Sequence, residues 1–147
     1  MAGEQNAGVV RRVIDEIWNG ADLALADVLF APWYVNHEGV IPDAVRGPEA
    51  IKISVALYRT AFPQLHVTVE DLVANGETVA LRWTARGAPP TGRTREAAGD
   101  RGGALTGVTL SHLSGGQIVE SWTSWDVLDA LRRLGVFRRA AANGTAH

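Results

Sequence analysis

Two periodicities divide the chain. Up to Phe62 the apolar residues recur at helical spacing, and from Leu65 they alternate with polar ones. Val10, Val13, Ile14, Ile17 and Trp18 make one face of a first helix, and Asn19-Gly20 closes it, Gly suiting a left-handed C-terminal cap. A second short helix is predicted over Leu23–Phe30, ended by Ala31-Pro32. Trp33-Tyr34-Val35 reads as a brief strand leading into the polar segment Asn36-His37-Glu38-Gly39. Gly47-Pro48-Glu49 opens a third helix, with proline at the first helical position and an acid facing the positive end of the dipole. Ile51, Val55, Tyr58 and Phe62 mark its buried face before Pro63 stops it.

The period-two region predicts four strands: Leu65–Val73, Thr78–Arg86, Ala104–Leu113 and Gln117–Ser124. Asn75-Gly76 and Gly115-Gly116 are the tight-turn signals. A short amphipathic helix follows Trp125-Asp126 and closes on Leu134-Gly135. Helices first and then a run of antiparallel strands imply an α+β domain, its helices packed on one face of a curved sheet. The polar, Gly-rich stretch 88–103 reads as a lid over a cavity or as a surface loop. One domain over residues 1–137 is expected, with residues 138–147 as a disordered tail.

Composition narrows the functional classes. The formal charge of −2 and the lack of a basic stripe argue against nucleic acid. Cysteine is absent, which excludes thiolate catalysis, disulfides and cysteine-bound zinc and fits a cytoplasmic setting. No signal-peptide pattern and no apolar run of membrane-spanning length is visible. No dinucleotide fingerprint, P-loop or His pair at i, i+4 is present, so neither a cofactor nor a metal is expected.

The stretch Gly107–Gly135, a hairpin ending in Trp-x-x-Trp-Asp and running into a Leu-rich helix, resembles the C-terminal signature of the SnoaL-like polyketide cyclases. Further resemblances are Trp33-Tyr34-Val35-Asn36-His37, Arg46-Gly47-Pro48-Glu49-Ala50, Phe62-Pro63-Gln64-Leu65 and Arg82-Trp83-Thr84-Ala85-Arg86-Gly87. The order of elements is similar across nearly the whole chain. The resemblance implies a cone-shaped α+β barrel around an apolar cavity, and a role in aromatic polyketide biosynthesis of the anthracycline antibiotic type. It also implies a homodimer joined through the open sheet face.

Cyclases of that family are similar in using a strand Asp as acid/base, a His on the neighbouring strand and an Asn near the pocket mouth. Registered on Leu134-Gly135, the resemblance puts Thr123 at the Asp position and Thr109 at the His position, and only Asn36 matches. A threonine hydroxyl orients a substrate oxygen but is no general base near neutral pH without help. Some SnoaL-like proteins are associated with hydroxylation, so the resemblance favours hydroxylation or a noncanonical cyclisation without a cofactor, with a possible reductase partner if oxygen is inserted. An aldol cyclase using another residue, or a noncatalytic binding module, are the alternatives.

His37 could act as a base at the pocket mouth or cap loop backbone. Asp126 could supply the missing acid or serve as a helix N-cap. Strand parity puts Ser121, Thr123 and Trp125 inward with Thr109, and His112 and Trp122 outward. That register requires a bulge or a three-residue turn at Gly115-Gly116. Trp83, Trp125, Tyr34 and Tyr58 could wall a flat polycyclic ligand, or could be core.

Overall fold

A computed structural model describes residues 2–38, 45–87 and 104–125. The 88–103 loop, Asp126 with the closing helix, and the 138–147 tail lie outside the described residues. Helix α1 (Ala2–Arg12) runs directly into a π-helical turn, Val13–Trp18. The wider turn keeps Val13, Ile14 and Ile17 buried together and leaves Trp18 half-buried at the end. Asn19 closes it with a backbone N–H bond to the Ile14 carbonyl.

A 3₁₀ turn (Leu23–Leu25), its N-terminus capped by the Asp22 carboxylate, leads into α2 (Ala26–Leu29). The second helix is therefore shorter than the apolar pattern suggested, and the first strand longer. Phe30 is already extended, and β1 covers Phe30–His37. Helix α3 (Pro48–Ala61) follows, entered through Gly47 at φ 78°. A side chain there would put its Cβ 2.5 Å from the Pro32 carbonyl oxygen, so the close approach of α3 to β1 requires glycine.

Four long strands complete the described chain: β2 (His66–Asn75), β3 (Thr78–Arg86), β4 (Leu105–Ser114) and β5 (Gln117–Trp125). They form one mixed sheet in the order β1-β5-β4-β3-β2, antiparallel throughout except for the β1–β5 pair. The first hairpin loop is Gly76-Glu77 rather than Asn75-Gly76. Asn75 still pairs with Thr78, and Gly76 takes the positive φ at the first loop position. In the second, Gly115 and Gly116 both adopt positive φ, as a type I′ turn demands. A bulge follows one step on, since Leu113 pairs with Ile118 but His112 pairs with Glu120. That extra residue restores the parity that brings Thr109 opposite Thr123.

The core lies between the helices and the inner sheet face. Val10, Ile14, Ile17, Phe30, Tyr34, Val55, Val79, Leu81, Leu113 and Ile118 are among its buried members. Polar clamps fix the helices to the sheet. The Asn19 side chain donates to the Val67 carbonyl at 2.8 Å and accepts from the Val67 N–H at 2.7 Å, imitating a strand partner for the edge of β2. Asn6 reaches the Gly76 carbonyl, and Arg59 donates to the carbonyls of Trp18 and Leu65. No described helix is long and apolar enough to cross a membrane.

Candidate functional site

A cavity of about 290 Å³ opens between α1, α3 and the inner face of all five strands. Its wall is mostly aliphatic and aromatic, with polar atoms at a few places, the usual make-up of a small-molecule site. Strand alternation decides which side chains reach it. From β4 these are Leu105, Thr109 and Ser111, and from β5 Ile118, Ser121, Thr123 and Trp125.

The centre of the sheet carries a hydrogen-bonded line. Trp83 on β3 donates its indole N–H to Thr109 Oγ1 at 3.0 Å, and Thr109 Oγ1 lies 2.9 Å from Thr123 Oγ1. Gly107 makes this possible: it pairs with Trp83 across the ladder, and the ring lies over the bare backbone where a side chain would otherwise stand. The two threonines hold two hydroxyl hydrogens and use one in their mutual bond. One remains for an oxygen in the cavity. In the next row Ser111 pairs with Ser121, so hydroxyls occupy both inward positions on β4 and β5.

A second polar group lies on β1. The Tyr34 hydroxyl bonds Ser121 Oγ, and both are buried. Burial pushes the Tyr34 pKa up, against the opposing effect of the Ser121 bond, so the phenol stays protonated through neutral pH. Asn36 is 4% exposed and points its Nδ2 toward Ser54 Oγ at 3.5 Å. Two residues on, Glu38 also faces the cavity. Tyr58 of α3 donates its hydroxyl to Glu38 Oε2 at 3.2 Å. Burial, reinforced by the nearby carboxylate, raises the Tyr58 pKa as well. Its ring meets Trp125 edge-on at 6.3 Å and is tilted against Trp18 at 6.1 Å.

Of the residues expected from sequence, Asn36, Thr109, Thr123, Trp83, Trp125, Tyr34, Ser121 and Tyr58 all line this one cavity. His37 does not. It falls on the opposite face of β1, with Nε2 2.7 Å from Glu120 Oε2 and its ring stacked on Trp122 at 5.4 Å. The two-residue repeat that turns Asn36 inward turns His37 outward. Asp126 lies outside the described residues. His112 is exposed, as its parity required. Sequence reasoning passed over Glu38, Ser54 and Ser111. Glu38 was legible by parity with Asn36, whereas the helical position of Ser54 gave no such signal. Among the described residues no group of three or more His, Asp or Glu is placed to hold a metal.

Comparison with known proteins settles the family. The SnoaL-like polyketide cyclase family model matches residues 8–134. The chain belongs to the SnoaL-like polyketide cyclase family. Among solved structures, IdmH from Streptomyces antibioticus, described provisionally as a polyketide cyclase, is 31% identical with a TM-score of 0.74, over 90% of this chain and 99% of that one. A provisional SnoaL-like polyketide cyclase from Jannaschia sp. CCS1 is 24% identical with a TM-score of 0.74, over 90% and 93%. AclR from Streptomyces galilaeus, described provisionally as a hydroxylase, is 21% identical with a TM-score of 0.72, over 91% and 87%. At those two lower identities the likeness concerns the fold alone. No curated protein sequence matches. The SnoaL-like assignment and the ketosteroid isomerase-like fold of a further structural neighbour agree with the α+β architecture described above.

Proposed function

We propose that this SnoaL-like chain is a tailoring enzyme of aromatic polyketide biosynthesis that needs no cofactor, acting on a flat, anthracycline-type substrate. The observation that carries the reading is the Trp83–Thr109–Thr123 line set in a mostly apolar wall. An apolar cavity favours the ring system, and the spare hydroxyl hydrogen fixes one carbonyl or phenol oxygen. Trp83 and Trp125 offer flat faces to the rings. Asn36 supplies a second donor, an amide, on the adjoining wall.

Two threonines in place of an acid/base pair favour hydroxylation, or ring closure driven mainly by confinement. In hydroxylation one atom of O₂ enters the ring and the other leaves as water, with two electrons and two protons from an external reductant or a reductase partner. A second reading, aldol ring closure by a base at another position, is favoured by the presence of Glu38 on the cavity wall. The test is mass spectrometry of an anthracyclinone-type polyketide incubated with the protein, with and without oxygen and reductant. A gain of one oxygen atom supports hydroxylation, and a changed product of unchanged mass supports ring closure. Return of unaltered ligand would overturn both and leave a binding module.

We further propose a homodimer through the outer sheet face. Val73, Ala80, Leu110 and Trp122 pair in one row across β2, β3, β4 and β5, and His37 extends it onto β1. Val73, Leu110 and Trp122 are exposed, as is Val108 beside them. A contiguous apolar stripe of this kind suits burial against a second copy.

A further inference from the structure

Buried polar side chains gather on one part of the cavity wall, away from the threonine pair. Among the described residues, Asn36, Ser54, Ser111 and Ser121 are buried and polar, and all four line the cavity. We propose that Ser111, with Ser121 and Asn36 beside it, forms a second oxygen-binding subsite for a flat ring system that carries carbonyl oxygens on two opposite edges. The inference rests on the reading of the cavity as an aromatic polyketide site and names the oxygens that site selects.

Sheet register builds the subsite. Ser111 on β4 stands opposite Ser121 on β5, and Ser121 stands beside Asn36 on β1. Neighbouring strands lie roughly 4.8 Å apart, so the three residues form one row across the inner face. That row lies one strand repeat, roughly 7 Å, from the row of Thr109 and Thr123. Ser111 is 4% exposed and makes no side-chain hydrogen bond among the described residues. No fully enclosed side-chain nitrogen or oxygen among those residues lacks a partner, so the Ser111 hydroxyl opens on the cavity. Its neighbour on β3, Val79, is apolar and fully buried, and packing alone gives no reason for a hydroxyl beside it. A hydroxyl held there without a partner costs free energy in the empty protein, and a ligand oxygen removes that cost.

Hydrogen counting gives the chemistry. Tyr34 and Ser121 hold two hydroxyl hydrogens and spend one on their mutual bond. Burial keeps the Tyr34 phenol protonated, so the count holds through neutral pH. With the hydrogen of Ser111, two donors remain on this part of the wall. A carbonyl oxygen has two lone pairs and accepts both. The spacing of the rows sets a second requirement. Two oxygens on adjacent carbons would crowd into one row, whereas oxygens on opposite edges of a ring reach both. The subsite therefore fixes orientation and selects the ligand, and makes or breaks no bond.

The test compares anthraquinone, with carbonyls on opposite edges of its middle ring, and anthrone, which lacks one of them. Affinity is read by tryptophan fluorescence in oxygen-free buffer. For anthraquinone, Ser111→Ala and Thr109→Val are each expected to weaken binding about 5–10-fold, the two losses adding in the double variant. Anthrone has one oxygen to place, so one variant should weaken its binding and the other change it less than about two-fold. Ligand-free Ser111→Ala should melt no lower than wild type, because the hydroxyl it loses has no partner. A lower melting temperature would make the serine a structural residue and overturn the inference. Unchanged anthraquinone affinity in Ser111→Ala, with Thr109→Val weakened, would overturn it and leave the threonine site standing. Equal losses on both probes in both variants would overturn it too, since the serine would then act on cavity shape. No binding of either probe by the folded wild type would overturn the site reading and this inference with it. If Ser111→Ala fails to fold, Ser111→Cys decides: the thiol is a weak donor of similar shape, and unchanged anthraquinone affinity would overturn the inference.

Discussion

Gly107 faces Trp83 across the β3–β4 ladder, and a methyl group added there would lie 2.4 Å from indole Cζ2. Gly107→Ala must therefore push the ring off its place, at a cost of about 1–3 kcal/mol. It should also break the Trp83–Thr109 bond, seen as a shifted tryptophan emission and weaker ligand binding. An unchanged emission would show that the indole does not depend on the missing side chain. Thr109→Val removes the acceptor for Trp83 and the partner of Thr123 while keeping nearly the same volume. Affinity for a hydroxyanthraquinone should fall about 10-fold, the value of one or two hydrogen bonds, with the fold retained. A calorimetric titration that gives equal affinity would remove the threonines from the site.

At the scale of elements, Asn19 ties the end of the π turn to the edge of β2 through two bonds to Val67. Asn19→Ala leaves both backbone groups of Val67 without that partner, and stability should fall by about 1–3 kcal/mol in urea unfolding. A loss below about 0.5 kcal/mol would mean that water replaces the clamp. The elements themselves were largely legible. Val10 to Trp18 gave the first helix because one apolar face persists through the π turn, and alternation gave β2 to β5. Three details were not. Phe30 fits the end of the second helix by pattern but is extended, because β1 pairs in parallel with β5, a contact far along the chain. The inward set on β2 is displaced by the bulge between Val69 and Asp71, which no local residue announces. His37, which the sequence left open between a base at the pocket mouth and a cap on loop backbone, turns away from the cavity because adjacent strand residues face opposite ways.

For the whole molecule, buried Tyr34 makes stability sensitive to alkali. Its folded pKa is raised above the ordinary tyrosine value of about 10, so the unfolded chain loses the phenolic proton first. Stability should be unaffected by this group below about pH 10 and should decline above it, with Tyr34→Phe showing a shallower decline in urea midpoints. An equal decline in both proteins would mean that Tyr34 ionises freely when folded. The outer face makes a separate prediction. Trp122→Glu places a charge in the apolar row and should convert a dimer into a monomer in sedimentation, with the cavity intact. A wild-type monomer would dismiss the pairing. The family match covers residues 8–134, and the cavity draws on every strand, so the site is a property of the assembled sheet. The most direct measurement of the central claim is a crystal structure of the chain with a hydroxyanthraquinone ligand. The account predicts the rings in the cavity against Trp83 and Trp125, with one oxygen in hydrogen-bond reach of Thr109 or Thr123. A ligand on the outer sheet face, or in the cavity with every oxygen turned away from the threonines, would contradict it.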